Sequence, residues 1–169
     1  MQKRIPGRHV AHLARAGIIA ALYVVLTWIS ALFGLSGMGA IQLRISEALC
    51  ILPVFTAAAV PGVTLGCLLA NLFTGAALPD IIFGTLATLL GAVGTRLFRK
   101  KVPLAMLPPV LANTLIIPFV IRYAYVDVSE SLPFLFLTVG VGEALSVCLF
   151  GTLLYLALRP IRYRIFPDD

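Results

Sequence analysis

The chain has 169 residues, of which 60% are hydrophobic and only 12% charged, against about 25% charged in an ordinary soluble domain. Its mean hydropathy of +1.04 and its recurring apolar runs of bilayer-spanning length, about 20 residues, exclude a soluble globular class and leave no length for a second domain. The net charge of +6 does not indicate a nucleic-acid partner, because the basic residues stand in short clusters between apolar runs, where they act as orientation signals.

In chain order the pattern predicts an all-α membrane protein, a single domain over 1–169 built as a bundle of six transmembrane helices. Lys3, Arg4 and Arg8 precede a first apolar helix over about 11–33, too long for a signal-peptide core and read as a retained span. A glycine-rich break at Gly34, Gly37 and Gly39 follows. A short second helix is expected over about 42–59, with Pro53 inside it, and a third over about 62–76 after Pro61 and Gly62. The fourth is expected over about 80–97. The fifth, about 103–123, carries Pro108, Pro109 and Pro118 as expected kinks. The sixth covers about 133–158.

Positive residues near helix ends set the orientation. Lys3, Arg4, Arg8 and Arg15 precede the first helix, Arg96, Arg99, Lys100 and Lys101 join the fourth to the fifth, and Arg159, Arg162 and Arg164 follow the sixth. Six spans place all three clusters on one face and leave only Arg44 and Arg122 on the other. Both termini are therefore expected in the cytoplasm.

A rise of about 1.5 Å per residue then gives each unusual side chain a depth. Gln42 and Arg44 fall near the outer interface with Glu47 a turn deeper, while Asn71, Asn113 and Glu143 come near the midplane from three other helices. A charged side chain at a helix centre costs about 2.5–3.5 kcal/mol on insertion scales, so Glu47 and Glu143 need partners or a ligand. Bland roles stand beside the functional one: Arg44 pairing with Glu47 at i, i+3, the asparagines joining helices, and Asp80 capping the fourth helix. Glu143, in Gly140-Val141-Gly142-Glu143, has no cation within its own span. Ala16 and Ala20 put small residues four apart on the first helix, a surface suited equally to internal packing and to a partner helix.

Cys50, Cys67 and Cys148 are scattered through apolar runs and read as small buried hydrophobes, and His9 and His12 as surface residues, so no metal site is expected. There is no phosphate-binding loop of the G-x-x-x-x-G-K-[ST] type, no H-E-x-x-H and no G-x-S-x-G, so neither ATP hydrolysis nor another catalytic activity is expected of this chain, nor a cofactor.

The stretch Ile41-Gln42-Leu43-Arg44-Ile45-Ser46-Glu47, the run from Pro61 and Gly62 to Gly66-Cys67 and Asn71, the run Asp80-Ile81-Ile82-Phe83-Gly84, the pair Pro108-Pro109 with Asn113, and Gly140-Val141-Gly142-Glu143 together resemble the QueT family. The resemblance covers nearly the whole chain. It implies a substrate-binding (S) component of an energy-coupling factor transporter in a prokaryotic plasma membrane, with a six-helix fold. The implied partners are a queuosine precursor of the 7-deazaguanine type, a transmembrane coupling subunit and two cytoplasmic ATPase subunits. On that resemblance Gln42, Arg44, Glu47, Asn71, Asn113 and Glu143 bind the substrate, Ala16 and Ala20 dock the coupling subunit, and the ATPase lies in other chains. The glycine-rich stretch 34–39 is then a candidate gate. A stand-alone ion-coupled carrier, with Glu47 or Glu143 as its proton site, is the rival expectation, and an intramembrane enzyme a distant third.

Overall fold

A computed structural model describes residues 6–35, 43–125 and 130–167. Among these the chain is helical, without strands. The first helix, α1 (Pro6–Leu32), is 27 residues long, about 40 Å at an α-helical rise. It ends where Gly34 turns to a φ of +69°. That left-handed residue lets the Leu35 N–H reach the Ser30 carbonyl at 2.9 Å and the Gly34 N–H reach that of Ala31 at 3.0 Å, closing the otherwise unpaired carbonyls of the last turn.

The expected second helix over 42–59 is replaced by a tighter coil. Residues Ile45–Val54 form ten residues of 3-10 helix, about 20 Å long at about 2.0 Å per residue. Side chains three apart eclipse one another in such a helix, so Arg44, Glu47, Cys50 and Pro53 fall on one face. Every residue from 46 to 53 is buried, which makes this segment the centre of the bundle.

The next helix, α2 (Ala59–Phe73), starts three residues before the expected boundary and is closed by Gly75 at φ +68°. Then α3 (Leu78–Leu97) runs back. The expected fifth helix is divided at Met106 into a single turn, α4 (Val102–Ala105), and α5 (Leu107–Ala124). Pro108 and Pro109 lie in the first turn of α5, where a missing N–H costs nothing, so they start a helix instead of kinking one. Pro118 is carried inside α5 without a break. The last long stretch holds α6 (Leu132–Glu143), a π-helical segment (Ala144–Phe150) and α7 (Gly151–Leu158).

The six long segments alternate in direction. Tyr23, Thr27 and Ser30 of α1 meet Glu47, Ser46 and Ile45 in reverse order. In contrast, α1 and α2 run parallel, packed through Gly62 and Gly66 so closely that a Cβ on Gly66 would stand 2.6 Å from the Tyr23 Cβ and 3.1 Å from the Ala20 Cα. Between α3 and α5, a Cβ on Gly91 would lie 2.7 Å from the Pro109 Cα. Close backbone approach of this kind substitutes for the missing hydrophobic drive between helices in lipid.

Four stretches are long and apolar enough to cross a membrane, namely His9–Leu32, Leu78–Leu97, Val102–Ala124 and Leu132–Ile165, whereas Ile45–Val54 and Ala59–Phe73 are shorter. Large apolar side chains such as Trp28, Leu65, Leu115 and Leu153 face outward, each about half exposed, as a lipid surround allows. The chain is a multi-pass membrane protein.

The α1–α2 contact generates a prediction. Gly66→Leu forces the two helices apart at an overpacking cost of about 1–3 kcal/mol, so the melting temperature in detergent falls. Gly17→Ala, whose new Cβ meets nothing within 4 Å, leaves it unchanged or raises it.

Candidate functional site

The polar side chains of the interior converge from every long segment. Glu47, on the central 3-10 coil, is 1% exposed. Its Oε1 accepts a short hydrogen bond from the Tyr23 hydroxyl of α1, and its Oε2 accepts the Cys50 thiol at 3.1 Å, from the residue stacked one 3-10 turn later. Tyr23 is held in turn by its own helix. Thr27 donates to the Tyr23 carbonyl at 2.9 Å, with the Ser46 hydroxyl also 2.9 Å from its oxygen, and Ser30 accepts the Ile45 N–H at 3.0 Å.

Asn71, on α2, is 2% exposed and donates through Nδ2 to the Asp80 carbonyl at 3.4 Å. This joins α2 to the start of α3. Asp80 is not the N-cap it was expected to be. The helix begins two residues earlier, with Ala77 at the cap, and the Asp80 carboxylate turns inward. One of its oxygens, Oδ2, accepts the Tyr125 hydroxyl at 2.9 Å from the end of α5. Burial, and after it the Asp80 carboxylate, push the Tyr125 phenol up from its ordinary value, so the phenol keeps its proton and remains a donor.

Arg44 was expected either to pair with Glu47 or to face a ligand. Of the acids around it, Asp80 attracts it more strongly than Glu47 does. The guanidinium therefore sits among acids from two segments rather than serving Glu47 alone. Glu143, on α6, feels both the repulsion of Glu47 and the attraction of Arg44, and the Asn113 amide of α5 lies beside it.

Five buried side-chain atoms in this region have no hydrogen-bond partner: Asp80 Oδ1, Asn113 Nδ2, Thr114 Oγ1, Glu143 Oε2 and Ser146 Oγ. Each such atom costs about 1–3 kcal/mol when shut away from water without a partner. Ser146 belongs to the π-helical segment that begins immediately after Glu143, a widened turn of the kind found mostly at functional positions. Donors and acceptors stand side by side here, with the amide of Asn113 next to the carboxylate of Glu143. Chemically, the arrangement suits a small polar molecule that both donates and accepts.

The structure thus buries Glu47, Asn71, Asn113 and Glu143 and sets the half-buried Arg44 near Asp80 and Glu47. Gln42 and most of the stretch 34–39 lie outside the described residues. Sequence reasoning passed over Tyr23, Cys50, Thr114 and Ser146. Tyr23, Thr27 and Ser30, at i, i+4 and i+7 along an apolar helix, form a polar stripe that was the available signal for the first of these.

Two expectations need correction. Ala16 and Ala20, taken as the docking surface for a partner, are 3% and 6% exposed and pack into the seam with Gly62 and Gly66, so contacts within the chain account for them. The small residues that α1 turns outward are Ala14, Gly17 and Ala21, one register step away. Cys148 is exposed, unlike Cys50 and Cys67. His9 and His12 are on the surface, and among the described residues no group of acids, histidines and cysteines is arranged to hold a metal.

The Tyr23–Glu47 contact generates a prediction. Tyr23→Phe leaves Oε1 of a buried carboxylate without its donor, a loss of about 1–3 kcal/mol. Thermal unfolding in detergent should show that loss, and Tyr125→Phe, at the half-buried end of α5, a smaller one.

Of the known proteins, no curated sequence and no solved structure matches. A family model described as the QueT transporter matches residues 13–160, a span that takes in every member of the buried cluster. By that match the chain belongs to the QueT transporter family.

Proposed function

We propose that this chain is the substrate-binding component of an energy-coupling factor importer, capturing a queuosine precursor of the 7-deazaguanine type from outside the cell. In this reading all six long segments cross the plasma membrane of a prokaryote and both termini are cytoplasmic. A transmembrane coupling subunit and two cytoplasmic ATPases supply the energy. The observation that carries the reading is the set of five buried, unpartnered polar atoms, among them Glu143 Oε2 with Asn113 beside it and Glu47 and Arg44 near it.

The chemistry of the ligand complements that set. A 7-deazaguanine offers N1–H and an exocyclic amine as adjacent donors, which one carboxylate accepts together, and a carbonyl that needs a donor. Glu143 and the Nδ2 of Asn113 present that pair side by side. The Thr114 and Ser146 hydroxyls are further available partners. An aminomethyl group on the precursor would be cationic. Asp80, with one oxygen engaged by Tyr125 and the other open, is the acid best suited to it. Glu47, already engaged by Tyr23 and Cys50, adds negative field and holds the coil in place. Arg44, Asn71 and Gln42 complete the set of proposed contacts. For the coupling subunit, the outward strip Ala14, Gly17 and Ala21 of α1 replaces Ala16 and Ala20 as the proposed docking surface.

Removing one charge-assisted hydrogen bond costs about 1.5–3 kcal/mol, or about 10- to 100-fold in affinity. Isothermal titration with 7-deazaguanine precursors should show such a loss for Glu143→Gln and for Asn113→Ala. Glu47→Gln should weaken binding through the shared field. Affinities near wild type for both glutamine variants would end this assignment. Uptake by vesicles that lack the ATPase subunits, and that collapses with the proton gradient, would favour the ion-coupled carrier instead.

A further inference from the structure

A concave region lies at the opposite end of the bundle from the buried cluster. It is a cleft of about 730 Å³ between the end of α3, the end of the 3-10 coil and the segment after α7. Four of its lining residues, Arg96, Arg99, Lys100 and Arg162, are cationic, and no acidic residue lines it among those described. Its wall is built rather than incidental. Arg96 is anchored through Nη1 on the Pro53 carbonyl at 3.0 Å, and the Arg162 guanidinium lies 4.4 Å over the Tyr163 ring.

The floor is apolar. Phe55 stacks on Tyr155 at 5.2 Å and on Phe166 at 6.0 Å between ring centroids. Next in sequence to the lining residues Arg96, Arg99 and Arg162, the large hydrophobics Leu97, Phe98 and Ile161 are exposed. The cleft therefore joins a cationic wall to apolar surface at the end of membrane-embedded helices. An acidic protein segment or a free anion needs only the first of these features, whereas a phospholipid needs both. Basic pockets between helices at a membrane surface take acidic lipid headgroups by the same combination of charge and adjacent hydrocarbon.

We propose that this cleft binds the phosphodiester headgroup of an anionic phospholipid, whose acyl chains run over the exposed apolar side chains of Leu97, Phe98 and Ile161. Arg99, Lys100 and Arg162 supply the charge, and Phe55 with Phe166 the apolar floor beneath the glycerol. The inference is independent of what the buried cluster binds.

Native mass spectrometry of the full chain in detergent tests it, with phosphatidylglycerol and phosphatidylcholine titrated separately. The wild type should retain one phosphatidylglycerol per chain, with a preference of about tenfold or more over phosphatidylcholine. The variant R99Q/K100Q/R162Q should lose that preference, while Arg122→Gln, away from the cleft, keeps it. Melting temperatures measured with and without phosphatidylglycerol give a second readout. The lipid should raise the melting temperature of the wild type and not that of the folded triple variant. Equal retention of the two lipids by the wild type, or undiminished preference in the triple variant, overturns the proposal. Displacement of the lipid by glycerol phosphate at equal concentration would also overturn it, because a free phosphate would then suffice as the ligand.

Discussion

The structure depends on how it keeps the Glu47 carboxylate in a hydrocarbon setting. Removed from water, a carboxylate must be supplied with hydrogen bonds or partner charges, or it is lost as an ion. Here the donors come from α1, as the Tyr23 hydroxyl, and from the coil itself, as the Cys50 thiol. That requirement explains the local geometry around it. Tyr23 also packs against Gly66 of α2, and the threefold coil stacks Cys50 directly beneath Glu47, where an α-helix would set it to one side. One polar contact thus ties α1 to the coil.

On this scaffold the remaining polar atoms are conspicuous for not being served. Glu47 has its donors, and Asn71 has the Asp80 carbonyl, yet the facing oxygens and nitrogen of Asp80, Asn113 and Glu143 do not. A fold that satisfies one buried acid through two elements could satisfy the others in the same way. Leaving them open is costly, and in the proposed reading the cost is recovered when a polar molecule supplies the missing partners. Because the cluster is shut from solvent, loading it needs a backbone movement. Besides the 3-10 coil, the π-helical turn beside Glu143 and the glycine-closed end of α1 are places where the chain departs from regular α-helix.

Much of this was legible in the sequence because charge inside an apolar run is conspicuous. Arg44, Glu47, Asn71, Asn113 and Glu143 stood out by cost, and a constant helical rise set Arg44 near the outer interface, Glu47 a turn deeper and the other three near the midplane. The element order was equally legible, with boundaries within a few residues. What escaped had physical reasons. Periodicity does not separate ten residues of 3-10 helix from a short α-helix, so the stacking of Glu47 on Cys50 was hidden, and Cys50 passed for a small hydrophobe. A helix that is apolar all round gives no sign of which face meets its neighbour. The pattern alone left Ala16 and Ala20 open between packing and a partner, and the resemblance assigned them to a partner, whereas Gly62 and Gly66 of the same chain fill that space. Asp80 sits two residues inside its helix because Leu78 and Pro79 start it, which turns a capping acid into an interior one.

The most direct test of the central claim is a structure of the protein purified with its small molecule in place. The account predicts ligand density among α3, α5 and α6, with ligand polar atoms within hydrogen-bond distance of Glu143 Oε2 and Asn113 Nδ2. Density elsewhere, with those two atoms still unpartnered, would contradict it.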